Sequence, residues 1–265
     1  MMLPNKLNVT CLVSIGMHPL SRRARRAEQD ARAVELGLNL AESSQHQLSV
    51  VHAGELTSEA EFALSSYLGM GLDELKVLSI PPQLDITSAL TDYVRSIKSN
   101  LVIMGQQTEQ GDSSAMLPYL LAQALSIPVV RGITEIIDID NTRQHITLLQ
   151  ALPRGQRRQI TGSLPMIICI DMAAKAPRQS AVGKALSGKI TPVSVNLTGL
   201  DPVAVKPMLT ATVRPKRLKL IKAKTAAERF KAATAKATNS GGKLVYDPQQ
   251  GAQAIYDLLK QEKLL

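Results

Sequence analysis

Apolar and polar positions follow two different periods along the first two thirds of the chain. Continuous apolar runs of strand length alternate with segments whose apolar residues recur at helical spacing, as Ala31, Val34, Leu38 and Ala41 do. The predicted strands span 7–16, 47–54, 74–80 and 100–105, and the predicted helices span 27–43, 58–70, 86–99 and 115–126. Strands alternating with helices predict a parallel sheet with both faces covered.

Three helix starts carry local signals. Thr57 or Ser58 is expected to cap the second helix, and Asp85 the third. Pro118 is comfortable only in a first turn, so the fourth helix should begin within residues 115–117.

Four arginines precede the first helix, in SRRARRAEQD at residues 21–30. Cations oppose the dipole at a helix start, so this helix should begin near Ala27, with Glu28 and Asp30 in its first turn. The arginines themselves form either a solvated basic loop or a contact with phosphate or an acidic partner.

The pattern of apolar and polar residues changes after Ile127. Strand-like runs joined by short turns cover 128–140, 143–155, 156–164 and 165–171, which predicts a β-rich continuation that is partly antiparallel. Regular apolar patterning fades from about Thr191. We therefore expect two parts, an α/β domain at 1–195 and a C-terminal arm at 196–265 that cannot build a core by itself. The arm ends in a short helix with an apolar stripe of Ile255, Leu258 and Leu259.

Charge is concentrated in that arm. The chain carries a net charge of +9, and residues 211–238 alone hold nine basic residues and one acid. A basic segment on a nearly neutral body indicates an arm with a partner. A nucleic-acid binder using Arg214–Lys236 is an alternative, but aromatic residues make up 3% of the chain and Trp is absent, which argues against a base-stacking surface.

Cysteine usage and the N-terminal sequence bear on location. Cys11 and Cys169 lie in apolar runs without a CxxC or Cys/His cluster, which indicates two buried, reduced thiols. The first residues lack a basic region and a cleavage site, and no apolar run approaches the roughly 20 residues of a spanning helix. We expect a cytoplasmic protein.

Four predicted strand ends lie where open α/β sheets bind ligands, at residues 13–17, 52–54, 80–82 and 105–114. The last is a polar loop, GQQTEQGDSS, between a buried strand and an apolar helix. Gly105 lets the backbone pass close to a ligand, and bare amides at the next helix start attract phosphate. A nucleotide or phosphate loop and a plain helix cap both remain open.

The sequence offers no catalytic machinery of its own. It has no Walker loop, no GxGxxG after the first strand and no HExxH, GxSxG or calcium-loop motif. His18 and His52 follow predicted strands on the ligand side, where each either contacts a ligand or is solvated. Nothing pairs a nucleophile with a base, so neither a catalytic residue nor a metal ligand is predicted.

Several stretches together resemble one family. SLPMIICIDMAAKAPRQSAVGKALSGKITPV, residues 163–193, is similar to the segment of electron-transfer flavoprotein β subunits that leads from a buried strand into the dehydrogenase-docking loop. Asp171, Pro177 and Arg178 fall on the family's Asp and Pro-Arg. Residues 63–78 resemble its Ala-rich helix and Met-Gly turn, and NLVIMGQQ resembles its Asp-Leu-Val-Leu-Leu-Gly-Lys-Gln. The similarity covers nearly the whole chain in order.

The resemblance implies an electron carrier rather than an enzyme. In this family a β subunit pairs with an α subunit that holds most of the FAD, and the pair passes electrons from a flavin dehydrogenase to a membrane quinone or iron–sulfur acceptor. The implied fold is a three-layer Rossmann-like domain, of the adenine-nucleotide α-hydrolase-like type, with a parallel core sheet and an extended arm around the partner. The candidate cofactor-binding residues come from the predicted strand ends, and of them Gly105 and Gln107 match the family's Gly and Gln. They are Val13, Ser14, His18, His52, Gly105, Gln106, Gln107, Asp112, Ser113 and Ser114.

Two departures from the family pattern change the expectations. In many members the loop after Gly105 holds AMP, but Gln106 replaces the family's Lys and QGDSSAML replaces its acidic run and Asn-Gln-Thr. AMP is therefore expected to be absent or weakly held. In the docking loop Val182 stands where the family places a Leu anchor, which predicts a different redox partner. The implied docking residues are Pro177, Arg178, Val182, Lys184 and Leu186.

Two further readings accompany this assignment. Residues 25–38 and the basic arm resemble a branch associated with bacterial dehydrogenases that demethylate methylated glycines. The principal alternative is a non-redox, nucleotide-binding α/β module, against which the β-rich continuation and the docking-loop match both argue.

Overall fold

The apolar runs of the first two thirds of the chain form one mixed sheet. The computed structural model describes residues 6–44, 46–111, 113–140, 142, 144–197, 200–203, 225–234 and 245–261. Within them the strands are β1 Asn8–Val13, β2 Ile15–Met17, β3 Ala24–Arg26, β4 Gln47–Gly54, β5 Glu74–Ser79, β6 Leu101–Gly105, β7 Val129–Asp140, β8 His145–Ala151, β9 Arg157–Ser163, β10 Met166–Ile170 and β11 Lys189–Val193. The helices are α1 Glu28–Ser44, α2 Ser58–Leu68, α3 Thr87–Ser96, α4 Leu117–Leu125, α5 Val182–Ser187, α6 Ala226–Thr234 and α7 Pro248–Gln261, with a 3-10 turn at Pro153–Gly155.

The nine-stranded sheet has the order β11-β5-β4-β1-β6-β10-β7-β8-β9. Pairing is parallel from β11 to β7 and antiparallel across β7, β8 and β9. β10, the tenth strand in sequence, lies between β6 and β7, with Ile168 beside both Ile103 and Val130. The predicted parallel core and its partly antiparallel continuation are therefore confirmed.

Helices cover both faces of the sheet, as the strand–helix alternation predicts. On one face α1 and α2 pack residues such as Val34, Leu64 and Tyr67 against the sheet. On the other face α3 and α4 contribute Tyr93 and Leu121. Strands between two apolar layers have apolar residues on both sides, which is why their sequences read as continuous apolar runs.

Local signals locate several element ends. The Thr57 side chain accepts a hydrogen bond from the Ala60 amide at 3.2 Å and caps α2. Asp85 acts one position earlier than a usual cap, because its Oδ1 accepts the Thr87 amide at 2.6 Å while Ile86 precedes the first helical residue.

Two expectations near the first helix need correction. The predicted strand at 7–16 is broken, because β1 ends at Val13 and β2 pairs antiparallel with β3. That hairpin places Arg25 and Arg26 in a partly buried strand, so the arginine run is not simply a solvated loop. α1 begins at Glu28, close to the expected position.

The chain divides into two units, Met1–Lys206 and Pro207–Leu265. In the second unit the structure describes α6 and α7, whereas most of the basic segment at 211–238 lies outside the described residues. α7 begins at Pro248, a favoured first helical residue, and carries the predicted stripe of Ile255, Leu258 and Leu259. Among the helices that the structure describes, none has the length and apolar content to cross a membrane.

Candidate functional site

A cavity of about 580 Å³ opens at the carboxyl edge of the sheet, beyond the ends of β1, β4 and β6. This is where parallel α/β sheets bind ligands, and the volume is in the range of small-molecule sites. Its apolar walls come from Leu12, Val51, Leu84, Ile86, Leu90, Met104, Met116, Leu117 and Leu120. Its polar lining includes Ser14, Asp30, His52, Asp85, Thr87, Gln107, Thr108, Ser113 and Ser114.

Asp30 joins two strand ends beneath this cavity. Its Oδ2 accepts hydrogen bonds from the Ser14 amide, at 2.7 Å, and from the Ser14 hydroxyl, while its Oδ1 accepts the Gly105 amide at 2.9 Å. Burial raises the pKa of Asp30 to about 6, although these hydrogen bonds act in the opposite direction. Sequence reasoning placed Asp30 only in a helix first turn and missed its role.

The first turn of α1 also holds the loop that follows β6. Gln29 Oε1 accepts the amides of Gln106 at 3.0 Å and Gln107 at 3.2 Å. In the other direction, Glu109 Oε1 accepts the Glu28 amide at 2.7 Å and caps α1 from a distant part of the chain. The loop and the helix start therefore satisfy each other's backbone groups.

Glu109 also fixes the hairpin of β2 and β3. Its Oε2 accepts the Met17 amide at 3.2 Å and lies 3.0 Å from Arg25 Nη2. A Cβ on Gly16 would come within 2.6 Å of the same oxygen, so Gly16 permits this approach. One carboxylate thus connects the β6 loop, the hairpin and α1.

Polar side chains in the loop bond to the loop itself. Gln107 Nε2 donates to the Ser113 carbonyl at 2.6 Å, and Ser113 Oγ donates to the Thr108 carbonyl at 2.6 Å. Thr108 Oγ1 donates to the Gln110 carbonyl at 2.8 Å. The run of polar residues therefore shapes the loop through internal hydrogen bonds.

Gln106, which stands at the family's Lys position, turns toward neighbouring strands. Its Nε2 donates to Asp171 Oδ2 at 2.8 Å, and its Oε1 accepts from Arg131 Nε at 3.2 Å and Nη2 at 3.1 Å. Asp171 follows β10 and Arg131 lies in β7. The amide thus bridges an acid and a base at the sheet edge.

The two candidate histidines lie in different surroundings. His52 is buried, its Nδ1 is 2.9 Å from the Val13 carbonyl oxygen, and burial lowers its pKa. The ring is therefore neutral near pH 7, and Nδ1 carries the donated proton. His18 is exposed in the hairpin turn, where its Nδ1 accepts the amides of Leu20 and Ser21.

The cavity brings together most of the predicted cofactor-binding residues. Those that line it are Val13, Ser14, His52, Gly105, Gln106, Gln107, Ser113 and Ser114. His18 does not line it, and Asp112 lies outside the described residues. Of the predicted strand ends, 80–82 does not line it either, whereas the following residues 84–87 do.

Arg178 anchors the segment after β10 to α1. Arg178 Nε lies 2.8 Å from Glu35 Oε2, and its Nη1 lies 2.7 Å from Glu42 Oε1. The Arg178 backbone amide donates to Glu35 as well, at 3.0 Å. Burial alone would raise the pKa of Glu35, but the hydrogen bonds from Arg178 outweigh it and hold that pKa below its usual range.

α5 presents two aliphatic side chains to the surface. Val182 is 74% exposed and Leu186 is 83% exposed, and their spacing of four places them on one helix face. The helix is held at its start, because the Ala181 amide donates to the Gly69 carbonyl at 2.9 Å.

The remaining predicted docking residues differ in exposure. Lys184 is exposed, whereas Pro177 and Arg178 are partly buried at the foot of the segment. The five residues therefore divide into a fixed foot, Pro177 and Arg178, and an exposed tip, Val182, Lys184 and Leu186.

Comparison with known proteins gives a consistent result. The electron transfer flavoprotein domain family matches residues 22–198. An electron transfer flavoprotein subunit beta of Chromohalobacter salexigens is 45% identical over 261 residues, which cover 98% of this chain and 96% of that protein. A probable electron transfer flavoprotein subunit beta of Saccharomyces cerevisiae is 28% identical over 171 residues, covering 62% of this chain and 64% of that protein.

Proposed function

The chain belongs to the electron-transfer flavoprotein family and has the role of its β subunit, and from this premise we propose how it carries electrons. It pairs with an α subunit and shares with it an FAD that the α subunit mainly holds. The heterodimer accepts electrons from a flavin dehydrogenase and delivers them to a membrane quinone or iron–sulfur oxidoreductase. The flavin supplies the redox chemistry, and this chain supplies binding and orientation.

One observation carries the docking part of the proposal: exposed aliphatic side chains on a firmly held helix. Val182 and Leu186 lie on α5, and the Arg178–Glu35 contact fixes the segment that leads to it. A partner's pocket can bury such a pair without first ordering the loop, which lowers the entropic cost of a brief encounter.

The donor set of this chain supports an FAD held mainly by the partner. The large cavity includes Asp30 and Asp85 in its lining. A second, open cavity of about 450 Å³ is lined by Arg25, Glu28, Gln29, Gln107, Thr108, Glu109 and Met172. The two carboxylates of the large cavity would repel the pyrophosphate of a dinucleotide, and in the second cavity Arg25 is already paired with Glu28 and Glu109. A flavin at the subunit boundary, with its phosphates on the α side, fits these surfaces.

The C-terminal part of the chain completes the heterodimer in this proposal. Residues 196–265 act as an arm that wraps the α subunit. Two features support this role: the nine basic residues between 211 and 238, and the apolar stripe of α7. An arm of this composition gains its stability from a partner surface.

Flavin content tests the subunit assignment. The full chain expressed alone is expected to purify without flavin, and co-expression with an α subunit to give a yellow heterodimer with stoichiometric FAD. Visible spectra of both preparations and analysis of the released flavin measure this. A yellow monomer with stoichiometric FAD would contradict the proposal.

A substitution at the docking tip tests the docking role. Val182→Asp should slow electron transfer from the dehydrogenase by about tenfold or more, since a few buried anchors carry most of the affinity of a small interface. Flavin content and heterodimer stability should not change, because Val182 is exposed. Stopped-flow reduction of the flavin measures the rate, and a dehydrogenase of methylated glycines is the first partner to test.

Two further variants serve as controls for Val182→Asp. Leu20→Asp places the same charge at another side chain that is 88% exposed, in the hairpin turn, and should leave the rate unchanged. Lys184→Glu should slow association at low salt and lose its effect at high salt, as charges at an interface rim do. Val182→Asp reduced as fast as the parent at every salt concentration would exclude α5 as the docking element.

A further inference from the structure

α5, the helix that carries the exposed docking tip, consists entirely of exposed or partly exposed residues. It has six residues, Val182–Ser187, and no side chain in the described part of the protein caps its start. A helix of this length is not stable by itself, because its few hydrogen bonds do not offset the cost of nucleation. The position of α5 must therefore come from the backbone on either side of it.

Both flanks of α5 lie on residues 69–73, which connect α2 to β5 and which we call the docking seat. Before the helix, the Ala181 amide donates to the Gly69 carbonyl at 2.9 Å. After the helix, the Lys189 amide donates to the Asp73 carbonyl at 2.9 Å. The docking seat thus holds α5 by backbone hydrogen bonds at both ends.

A glycine lets the start of α5 approach the docking seat closely. Gly69 has right-handed helical backbone angles, φ −59° and ψ −15°, so its conformation does not require glycine. A Cβ there would overlap the Ser180 Oγ and would lie 3.1 Å from the Ser180 Cβ and from the Ala181 carbonyl oxygen. The Oγ could rotate away, whereas the Cβ and the carbonyl could move only with the backbone. It is therefore the docking segment that excludes a side chain at position 69.

The end of α5 is packed in the same way. Gly188 has extended backbone angles, φ −75° and ψ 160°, which any residue can adopt. A Cβ there would nevertheless lie 3.0 Å from the Leu68 Cβ and from the Leu72 carbonyl oxygen. Between the two ends, a Cβ on Gly71 would come within 3.3 Å of Lys184 Nζ. The docking segment therefore lies against the docking seat at its start, middle and end.

We propose that Gly69 and Gly188 are positioning residues that set the orientation of α5 and thereby the affinity of this protein for its dehydrogenase. The inference rests on the docking role proposed above and adds what holds the docking tip in place. Val182 and Leu186 enter a partner's pocket together only when the helix has the angle that the pocket requires, and such sites tolerate displacements of about 0.5 Å. A methyl group added at either glycine displaces one end of α5 and changes that angle.

Gly69→Ala and Gly188→Ala test the two ends of the helix. The flavin-loaded heterodimer is reduced in stopped flow by the flavin dehydrogenase found to reduce the parent, over a range of dehydrogenase concentrations. We expect each substitution to raise the half-saturating concentration at least threefold. The limiting rate should stay within twofold and the flavin content unchanged, because neither glycine lines either cavity. Parent-like half-saturating concentrations in both variants would overturn the proposal.

A double variant separates the position of α5 from a general loss of stability. Ser180→Gly removes both Ser180 atoms that a methyl group on residue 69 would meet. In the Ser180→Gly background, Gly69→Ala should therefore change the half-saturating concentration by less than twofold, since residues in contact have coupled effects. An effect of Gly69→Ala that is equally large in both backgrounds would show that the methyl group acts elsewhere, and would overturn the proposal.

Hydrogen exchange reports on the docking seat without electron transfer. Gly69→Ala should speed amide exchange in residues 179–189 of the heterodimer, because the Ala181–Gly69 hydrogen bond is lost. Val182→Asp is measured alongside, since it changes an exposed side chain and not the docking seat. Slow electron transfer in Val182→Asp, combined with parent-like transfer and exchange in Gly69→Ala, would overturn this inference alone. Parent-like transfer in Val182→Asp, combined with faster exchange in Gly69→Ala, would overturn the docking role on which it rests.

Discussion

Replacing Arg178 with methionine is expected to lower the free energy of unfolding by about 2–4 kcal/mol, because removal of one partner leaves a buried carboxylate uncompensated. Glu35 is the carboxylate that would lose its partner, since its side chain is only 8% exposed and Arg178 Nε lies 2.8 Å away. Methionine keeps the aliphatic stem that packs at the foot of the docking segment. Denaturant unfolding of the heterodimer at one fixed concentration measures the change.

Two companion variants test this cause. The double variant Arg178→Met, Glu35→Met should recover much of the lost stability, because the buried charge is then gone. Glu42→Gln alone should leave the free energy of unfolding nearly unchanged, because an exposed ion pair contributes little. A double variant no more stable than Arg178→Met would show that the loss comes from packing.

The stability that the Arg178–Glu35 ion pair contributes is expected to decrease in acid. Arg178 lowers the pKa of Glu35, so the stability that it contributes is fully present above the ordinary glutamate pKa of about 4.3 and is lost as the pH falls through the folded-state value. The difference in free energy of unfolding between the parent and Arg178→Met should therefore become smaller in acid. A gap that stays constant down to pH 3 would exclude the ion pair as its source.

Asp30→Asn is expected to change stability with the opposite pH dependence. The pKa of Asp30 is raised to about 6 by burial, so the folded chain binds this proton more tightly than the unfolded chain does. The parent therefore loses stability relative to Asp30→Asn as the pH rises from about 4 to 7, by roughly 2–3 kcal/mol for a shift of about two pH units. Asparagine has no charge to desolvate in this range.

The quantity to measure is how the difference in stability between the parent and Asp30→Asn changes with pH. Its value at a single pH is not enough, because asparagine also loses a hydrogen bond. The donors from Ser14 and Gly105 occupy both carboxylate oxygens, and an amide has a single acceptor oxygen. That loss shifts the curves by a constant and does not alter their pH dependence. Parallel stability curves between pH 4 and 7 would mean that the hydrogen bonds, rather than burial, govern the ionisation of Asp30.

The sequence predicted correctly those features that depend on residues close to one another in the chain. The bounds of β4 match the predicted 47–54, because the apolar run is continuous and turn residues flank it. Thr57 was identifiable as a cap because the amide that it binds is three residues away. Pro118 located the start of α4 for a similar reason, since its missing N–H fits only a first turn.

The contacts that shape the site were not readable in the sequence because they join distant residues. Gln29 and Gln106 are 77 positions apart, and Glu28 and Glu109 are 81 apart. A glutamine or glutamate in a helix first turn or a loop is compatible with many partners, and only the fold selects one. The hairpin of β2 and β3 joins nearby residues and was missed for a different reason, since its strands of three residues are too short to show an alternating pattern.

The position of β10 has a consequence for the order in which the chain can fold. β6 and β7 do not pair with each other, and each pairs instead with β10, which begins 61 residues after the end of β6. During synthesis, β1, β4 and β6 can associate from the first 105 residues, and β7, β8 and β9 can form a meander of local hairpins. These two pieces become one sheet only when Met166–Ile170 enters between them. A parallel strand inserted so late carries a high loop-closure cost, and its entry is expected to limit the rate at which the sheet is completed.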